Sequence, residues 1–412
     1  MADKLTHEEQ RTALYAAADR PTVPDLVTSD TPVEMLNLNW RERDLPERER
    51  TKHVHRLHPY LGKYIPQLVE VLLRKYFAPG QTVFDPFAGS GTTLVQANEL
   101  GIHAIGCDIS AFNVLLSRAK TATYDPERLH DEVKDALKQA QSSVKSDLSQ
   151  LPLFAHLESP NGTTIRVNDY LYQWYAPPAL AQLLAYRDTI EHGAYQYKDL
   201  LRVILSRSAR SARLTTHFDL DFPKQPQTEP YWCYKHSRTC YPTTDALKFL
   251  KRYSEDTLRR EQQFAAVRTA AQVTIYHDDS HSVNLPPIAG VVTSPPYLGL
   301  IDYHEQHVYA YQLLGLEDRR TVEIGAAAAG TSKKAREQYQ NAMVSVFQNV
   351  LGVMPAGGYL LVVAADKANL YPTIAEELGV TVEHIIQRHV NRRTGRRAGE
   401  FYESIFVWRK QE

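Results

Sequence analysis

An α/β fold with a mostly parallel sheet, broken by a largely helical insertion, is predicted by three features of the sequence. Residues 82–108 read as strand, glycine loop, helix and strand, the proportions of a βαβ unit. Short apolar strands alternating with helical stretches resume after residue 270. Between the two, residues 126–269 carry long helix-period patterns.

Residues 1–50 read as an N-terminal extension, with a helical pattern over Thr6–Ala18 and an aperiodic stretch, Pro21–Pro32. From Ile65 to Tyr76, the positions Leu68, Leu72 and Tyr76, with Val69 and Leu73 beside them, share one helical face, and Pro79-Gly80 stops the element. Thr82-Val83-Phe84 is a brief strand that runs into Asp85-Pro86-Phe87-Ala88-Gly89-Ser90-Gly91-Thr92-Thr93. Helix Leu94–Leu100 and strand Ala104–Cys107, closing on Asp108, complete the unit. Within the insertion, helical patterns cover Leu129–Leu148, Pro178–His192, Lys198–Arg213 and Asp245–Ala270 around a loop-like stretch, Phe218–Thr244. Strands return at Val273–Tyr276 and Ala289–Thr293, the second entering Ser294-Pro295-Pro296-Tyr297. Helix Lys333–Val353, strand Tyr359–Ala364, helix Pro372–Leu378 and a strand pair centred on Val382–Gln387 and Ser404–Trp408 close the chain. The α/β domain is therefore expected from residues 51–125 and 270–412, with 126–269 inserted.

With 43% hydrophobic and 23% charged residues among 412, the composition is that of a folded protein rather than a disordered one. The 47 Lys and Arg against 48 Asp and Glu exert no overall pull toward nucleic acid or anionic lipid, so any such affinity must be local. Three cysteines cannot form a disulfide framework, and the N-terminus lacks a signal-peptide pattern, so a cytoplasmic location is expected. No apolar run approaches the ~20 residues that a membrane helix needs.

Gly89-Ser90-Gly91 lets backbone approach a ligand at the tip of the first strand, where the following helix points its positive end. The dinucleotide fingerprint requires a third glycine, but Leu94 holds that position. Asp108, 17 residues beyond Gly91, is placed to accept hydrogen bonds from both hydroxyls of a ribose. A carboxylate at Asp85 would repel a pyrophosphate yet suit a cationic amino-acid group, which points to S-adenosylmethionine. In Ser294-Pro295-Pro296-Tyr297, two prolines remove amide donors and stiffen the loop. The Ser294 hydroxyl and Pro295 carbonyl can accept from an exocyclic amine, favouring the pyramidal nitrogen needed for attack on a methyl sulfonium. Tyr297 offers a flat face to a base lifted from its stack.

These segments resemble the DNA amino-methyltransferases, which use S-adenosylmethionine to methylate N4 of cytosine or N6 of adenine. The resemblance covers roughly residues 51–118 and 273–412. The family implies a Rossmann-like methyltransferase fold, a mostly parallel seven-stranded sheet with a terminal antiparallel strand. His58-Pro59-Tyr60-Leu61-Gly62-Lys63-Tyr64-Ile65-Pro66 is similar to the family's upstream cofactor motif, so Tyr60, Tyr64 and Pro66 join Asp85–Thr93, Asp108 and Ile109 as implied cofactor contacts. Asp278-Asp279-Ser280 resembles the acidic motif that contacts the adenine, and Gly399–Trp408 the final strands. Serine heading the tetrapeptide is mostly a mark of the N4-cytosine enzymes, whereas Asp or Asn there usually marks N6-adenine enzymes. The insertion precedes the acidic Asp278-Asp279 segment, which leaves the subclass open.

Double-stranded DNA is the expected partner; the resemblance leaves open whether a cognate restriction nuclease or another defence-system partner accompanies the enzyme or whether it acts alone. Residues 196–262 hold thirteen Lys and Arg against eight Asp and Glu, and are the candidate target-recognition region. Arg207, Arg210 and Arg213 recur on one helical pattern suited to phosphates, while Tyr231, Trp232, Lys235, His236 and Arg238 mix aromatics with base-edge donors. Arg392, Arg393, Arg396 and Arg397 form a second basic cluster suited to a phosphate-contacting turn. Cys233, His236 and Cys240, with His217 distant, lack the paired knuckles of a structural zinc site and read as reduced cysteines in a loop, with no metal expected. His304 and His307 read as positioning groups. The alternatives are adenine N6 in DNA, a guanine amine in tRNA, and a non-catalytic nucleic-acid-binding protein with a vestigial cofactor fold.

Overall fold

The computed structural model describes residues 20–146, 157–158, 164–165, 169–215, 225–234, 236–326, 328, 330–390 and 401–412. The strands are β1 (Thr82–Asp85), β2 (His103–Asp108), β3 (Leu157–Glu158), β4 (Thr164–Ile165), β5 (Tyr231–Cys233) and β6 (Arg238–Cys240). They continue with β7 (Val273–His277), β8 (Gly290–Thr293), β9 (Tyr359–Ala364), β10 (Thr381–His389) and β11 (Tyr402–Arg409). Seven of them form one sheet in the order β10-β11-β9-β8-β1-β2-β7. β11 runs antiparallel to both its neighbours, and the other pairings are parallel. A mostly parallel seven-stranded sheet with its last strand antiparallel is the arrangement that the resemblance implies.

Both faces of the sheet are covered, and the period of two along each strand sorts the side chains. Val83, Leu361, Val363, Ile405 and Val407 join one apolar cluster, whereas Phe84, Leu360, Val362, Phe406 and Trp408 join another. The first cluster includes Val27, Val33, Leu36, Leu38 and Trp40, so residues 20–45 form part of the core rather than a free arm. Two polar ties fix this segment: Lys75 Nζ donates to the Thr31 carbonyl at 2.6 Å, and the His389 amide to Asn39 Oδ1 at 2.6 Å. The Thr6–Ala18 pattern lies outside the described residues.

The insertion helices Pro126–Ser146, Pro177–His192, Lys198–Ala212 and Leu247–Ala265 share a third cluster with Phe112 and Tyr309 of the α/β part. A continuous apolar contact thus ties the insertion to the helix Ala111–Thr121. The stretch expected to be loop holds the β5–β6 hairpin. It escapes periodicity because each strand is only three residues long.

Candidate active site

The glycine loop and the Ser-Pro-Pro-Tyr loop open on one cleft. Parallel pairing of β1 with β8 puts both loops at the same end of the sheet. Of the residues the sequence singles out, Tyr60, Tyr64, Pro86, Phe87, Ala88, Gly89, Ser90, Thr92, Asp108, Ile109, Asp278, Asp279, Ser294 and Pro296 line this cleft.

Asp108 stands at the end of β2 and holds the glycine loop from below. Its carboxylate accepts from the Gly89 amide at 2.7 Å, the Ser110 amide at 2.8 Å and the Asn113 side chain at 3.1 Å. Burial pushes its pKa up to about 6, against the pull of these donors. The helix Ala111–Thr121 secures the same loop: Ser117 Oγ donates to the Gly89 carbonyl at 3.0 Å, and the buried Lys120 to the Ser90 carbonyl at 2.6 Å. Gly91 sits at φ 75°, and a Cβ there would meet Ser117 Oγ at 2.9 Å, so glycine is required.

Asp85 departs from expectation. It is buried outside the cleft lining, because its carboxylate points into the protein. It accepts from Thr93 Oγ1 and Thr293 Oγ1, each at 2.6 Å, and from the Phe87 amide at 3.1 Å. Thr93 lies in the first turn of the helix Thr92–Glu99 that follows the glycine loop and Thr293 immediately precedes Ser294, so Asp85 fastens one loop to the other. Tyr64 bonds to Thr93 from the cleft side. Pro66 starts the helix Pro66–Tyr76, and Gly91 and Thr93 also lie behind the lining.

In the second loop, Ser294 Oγ donates its proton to the Val363 carbonyl at 2.9 Å, which leaves oxygen lone pairs at the cleft. Tyr297 does not present its ring there. It is buried, donates to Glu403 Oε1 at 2.8 Å and packs near Phe401. Burial, reinforced by the Glu403 carboxylate, pushes its phenol well above the usual range. The Pro296 carbonyl accepts from Tyr339 at 2.9 Å. Flat faces at the cleft come instead from Tyr60, Phe87 and Tyr303, the rings of Tyr60 and Tyr303 stacking at 5.8 Å.

Periodicity missed Tyr303, Glu323, Ser110 and Asn113, all of which line the cleft. Glu323 receives the Tyr303 amide at 3.0 Å and lies 2.9 Å from His304 Nδ1, fixing the turn after the second loop. His307, buried under Tyr60, is held neutral as burial lowers its pKa to about 3. A readable signal existed for one group: Ser110 caps the helix by accepting from the Asn113 amide at 3.2 Å, a capping pattern just after Asp108.

The expected phosphate contacts divide. Arg207 is buried, paired with Asp256 at 2.7 Å and laid over the Tyr253 ring; Arg213 is buried over Tyr309. Their spacing marks a packed face, because both guanidiniums are spent on aromatic rings inside the protein. Arg210 is only half-buried, and Trp232, His236 and Arg238 are exposed on the hairpin with Tyr231 half-buried. Lys235, His217, Arg392, Arg393, Arg396 and Arg397 lie outside the described residues.

Residues 14–118 match the family model described as DNA methylase, of the N6 and N4 type. The sequence is 35% identical to the type II methyltransferase M.MjaII of Methanocaldococcus jannaschii, covering 89% of this chain and 82% of that protein. The chain belongs to the N6/N4 DNA methylase family. To another relative, the type II methyltransferase M.BsoBI of Geobacillus stearothermophilus, this DNA methylase is 22% identical over 68% of its own length and 56% of the relative's. Among solved structures, TrmN from Thermus thermophilus gives a TM-score of 0.33 at 12% identity, covering 85% of this chain and 50% of that one. The rRNA methyltransferase AviRa from Streptomyces viridochromogenes gives 0.32 at 11%, covering 85% and 88%. As a member of its family, the DNA methylase takes its methyl group from S-adenosylmethionine. No helix among the described residues is long and apolar enough to cross a membrane.

Proposed function

We propose that this DNA methylase modifies N4 of cytosine within a short sequence of double-stranded DNA, on a base lifted out of the duplex into the cleft. The observation that carries the reading is Ser294. Its hydroxyl proton is committed to Val363, so toward the cleft it acts as an acceptor. An exocyclic amine is a weak nucleophile, its lone pair being delocalised into the ring. An acceptor that takes one of its N–H groups favours the pyramidal, nucleophilic form. Serine rather than a carboxylate at this position supports cytosine over adenine, on the resemblance described above.

Bound S-adenosylmethionine supplies an electrophilic methyl group. Asp108 is suited to its ribose hydroxyls, Asp278 and Asp279 to its adenine, and the Gly89–Ser90 backbone to its amino-acid end. Asp85 holds the two loops in register. Tyr60 and Tyr303 offer the stacking face that Tyr297 does not. The methylated nitrogen is strongly acidic, so water or Ser294 suffices to take its proton. The type II relatives support a role beside a restriction nuclease of the same specificity.

The test is expression in a methylation-free host, with digestion of the DNA to nucleosides and mass spectrometry. 4-Methylcytosine is expected; 6-methyladenine would transfer the assignment to the adenine enzymes.

A further inference from the structure

The β5–β6 hairpin, away from the cleft, gathers three soft ligands. Tyr231 pairs with Cys240 and Cys233 with Arg238, so the two cysteines lie diagonally on one face of the hairpin. The turn doubles back: the His236 amide donates to the Cys233 carbonyl at 3.1 Å, and Ser237 takes the left-handed φ of 49°. This returns the imidazole to the cysteines, with His236 Nδ1 3.5 Å from Cys240 Sγ. The ligand atoms of Cys233, His236 and Cys240 all lie within 4.8 Å of one another.

These spacings can be compared with a metal geometry. Zinc bonded tetrahedrally to sulfur at about 2.3 Å and nitrogen at about 2.05 Å separates the ligand atoms by about 3.5 Å for S and N, and about 3.8 Å for two sulfurs. The observed 3.5 Å between nitrogen and sulfur already equals that edge. Both thiols are buried, although strands of three residues leave the hairpin little apolar core of its own. Its large side chains face outward, Trp232 being 55% and Tyr234 80% exposed. By contrast, the cluster of His53, His55 and Glu99 is ill suited to a cation, because Lys52 already occupies Glu99 at 2.7 Å.

We propose that Cys233, His236 and Cys240 bind a zinc ion that closes this hairpin. Two thiolates and a neutral imidazole neutralise the ion, two thiol protons leave on binding, and the exposed side at His236 opens the fourth position to water. The metal replaces the missing core and holds Trp232 and Tyr234 outward as a rigid ridge. Methyl transfer does not pass through it, so the site stands or falls independently of the base assignment.

The full chain, purified anaerobically and stripped with a chelator, is titrated with zinc and with cobalt. One equivalent per chain, a cobalt–thiolate charge-transfer band, and zinc protection of Cys233 and Cys240 from a thiol reagent are expected, with Cys107 in β2 as the unaffected control. Cys240→Ser should weaken zinc binding by at least the ~10-fold lost with an outer-shell partner. Thiol reactivity indifferent to zinc, or a Cys233–Cys240 disulfide in the intact mass, would overturn the site. Protection in the unsubstituted chain decides the matter even if the variant does not fold.

Discussion

The Tyr297 hydroxyl donates to Glu403 at 2.8 Å, and the other carboxylate oxygen of Glu403 receives Arg388 Nε at 2.9 Å. The loop after β8 is therefore anchored by a buried ion pair between β10 and β11, whose register sets Arg388 opposite Glu403. Removing the two groups should have unequal costs. Tyr297→Phe should destabilise the fold by about 1–3 kcal/mol, the loss of a hydrogen bond to a charged group. Glu403→Ala strands a buried guanidinium and should cost about 3–5 kcal/mol. Urea unfolding gives both values, and equal costs would contradict the arrangement.

Ser294→Ala removes an acceptor at the cleft while leaving the cofactor wall intact. Turnover should fall at least ~10-fold, toward the 10²–10³ range seen for lost transition-state partners, with cofactor affinity by calorimetry unchanged. Undiminished turnover would remove Ser294 from the chemistry.

On the proposed contact between Asp108 and the ribose, cofactor binding should depend on pH. Burial raises its pKa to about 6 from an ordinary ~3.9, so the folded chain keeps a proton that the unfolded chain releases earlier. The carboxyl therefore favours folding as pH drops through 6 toward 4 and costs stability above 6. Ribose hydroxyls donate to the ionised form, so affinity for S-adenosylmethionine should climb up to about pH 7, at most ~10-fold per unit below 6, and then level off. Asp108→Asn should flatten the profile and lower its plateau; a flat profile in the parent chain would reject the assignment.

Asp85→Ala should act differently, because Asp85 joins Thr93 to Thr293 rather than facing the cleft. The melting temperature should fall first, by several degrees for a loss of about 2 kcal/mol, and both cofactor affinity and turnover should decline with it. Loss of cofactor affinity at an unchanged melting temperature would instead restore Asp85 to a direct contact.

Two changes in the insertion separate packing from recognition. Arg207→Ala breaks the buried pair with Asp256 and should destabilise the protein without altering the salt dependence of DNA binding. Trp232→Ala touches an exposed ring and should weaken DNA binding roughly tenfold at unchanged stability, as read by fluorescence anisotropy.

The sheet was legible because its strands are short apolar runs bounded by Gly and Pro, and because Gly89, Gly91 and Asp108 do backbone work that few other residues could do. Side-chain direction was not. Asp85 and Tyr297 sit in the expected loops, yet both turn inward, since Thr93, Thr293 and Glu403 come from elements 8 to 208 residues away in the chain. The spacing of Arg207 and Arg213 showed a helical face but not what lay against it; Asp256 and Tyr309 decide that. Tyr303 opens a helix of four residues and Glu323 closes a 3-10 helix of three, both too short to carry a periodic signature. The gathering of Cys233, His236 and Cys240 needed a hairpin whose strands are too short to read.

The place of β11 between β9 and β10 has a consequence for synthesis. A ribosome delivers both flanking strands before the one that must slot between them, so each waits with an open hydrogen-bonding edge until residues 402–409 emerge. A stop codon ahead of Glu403 would release a polypeptide with a split sheet and no anchor for Tyr297. Truncated translation products should therefore aggregate or be degraded rather than bind DNA as inactive competitors.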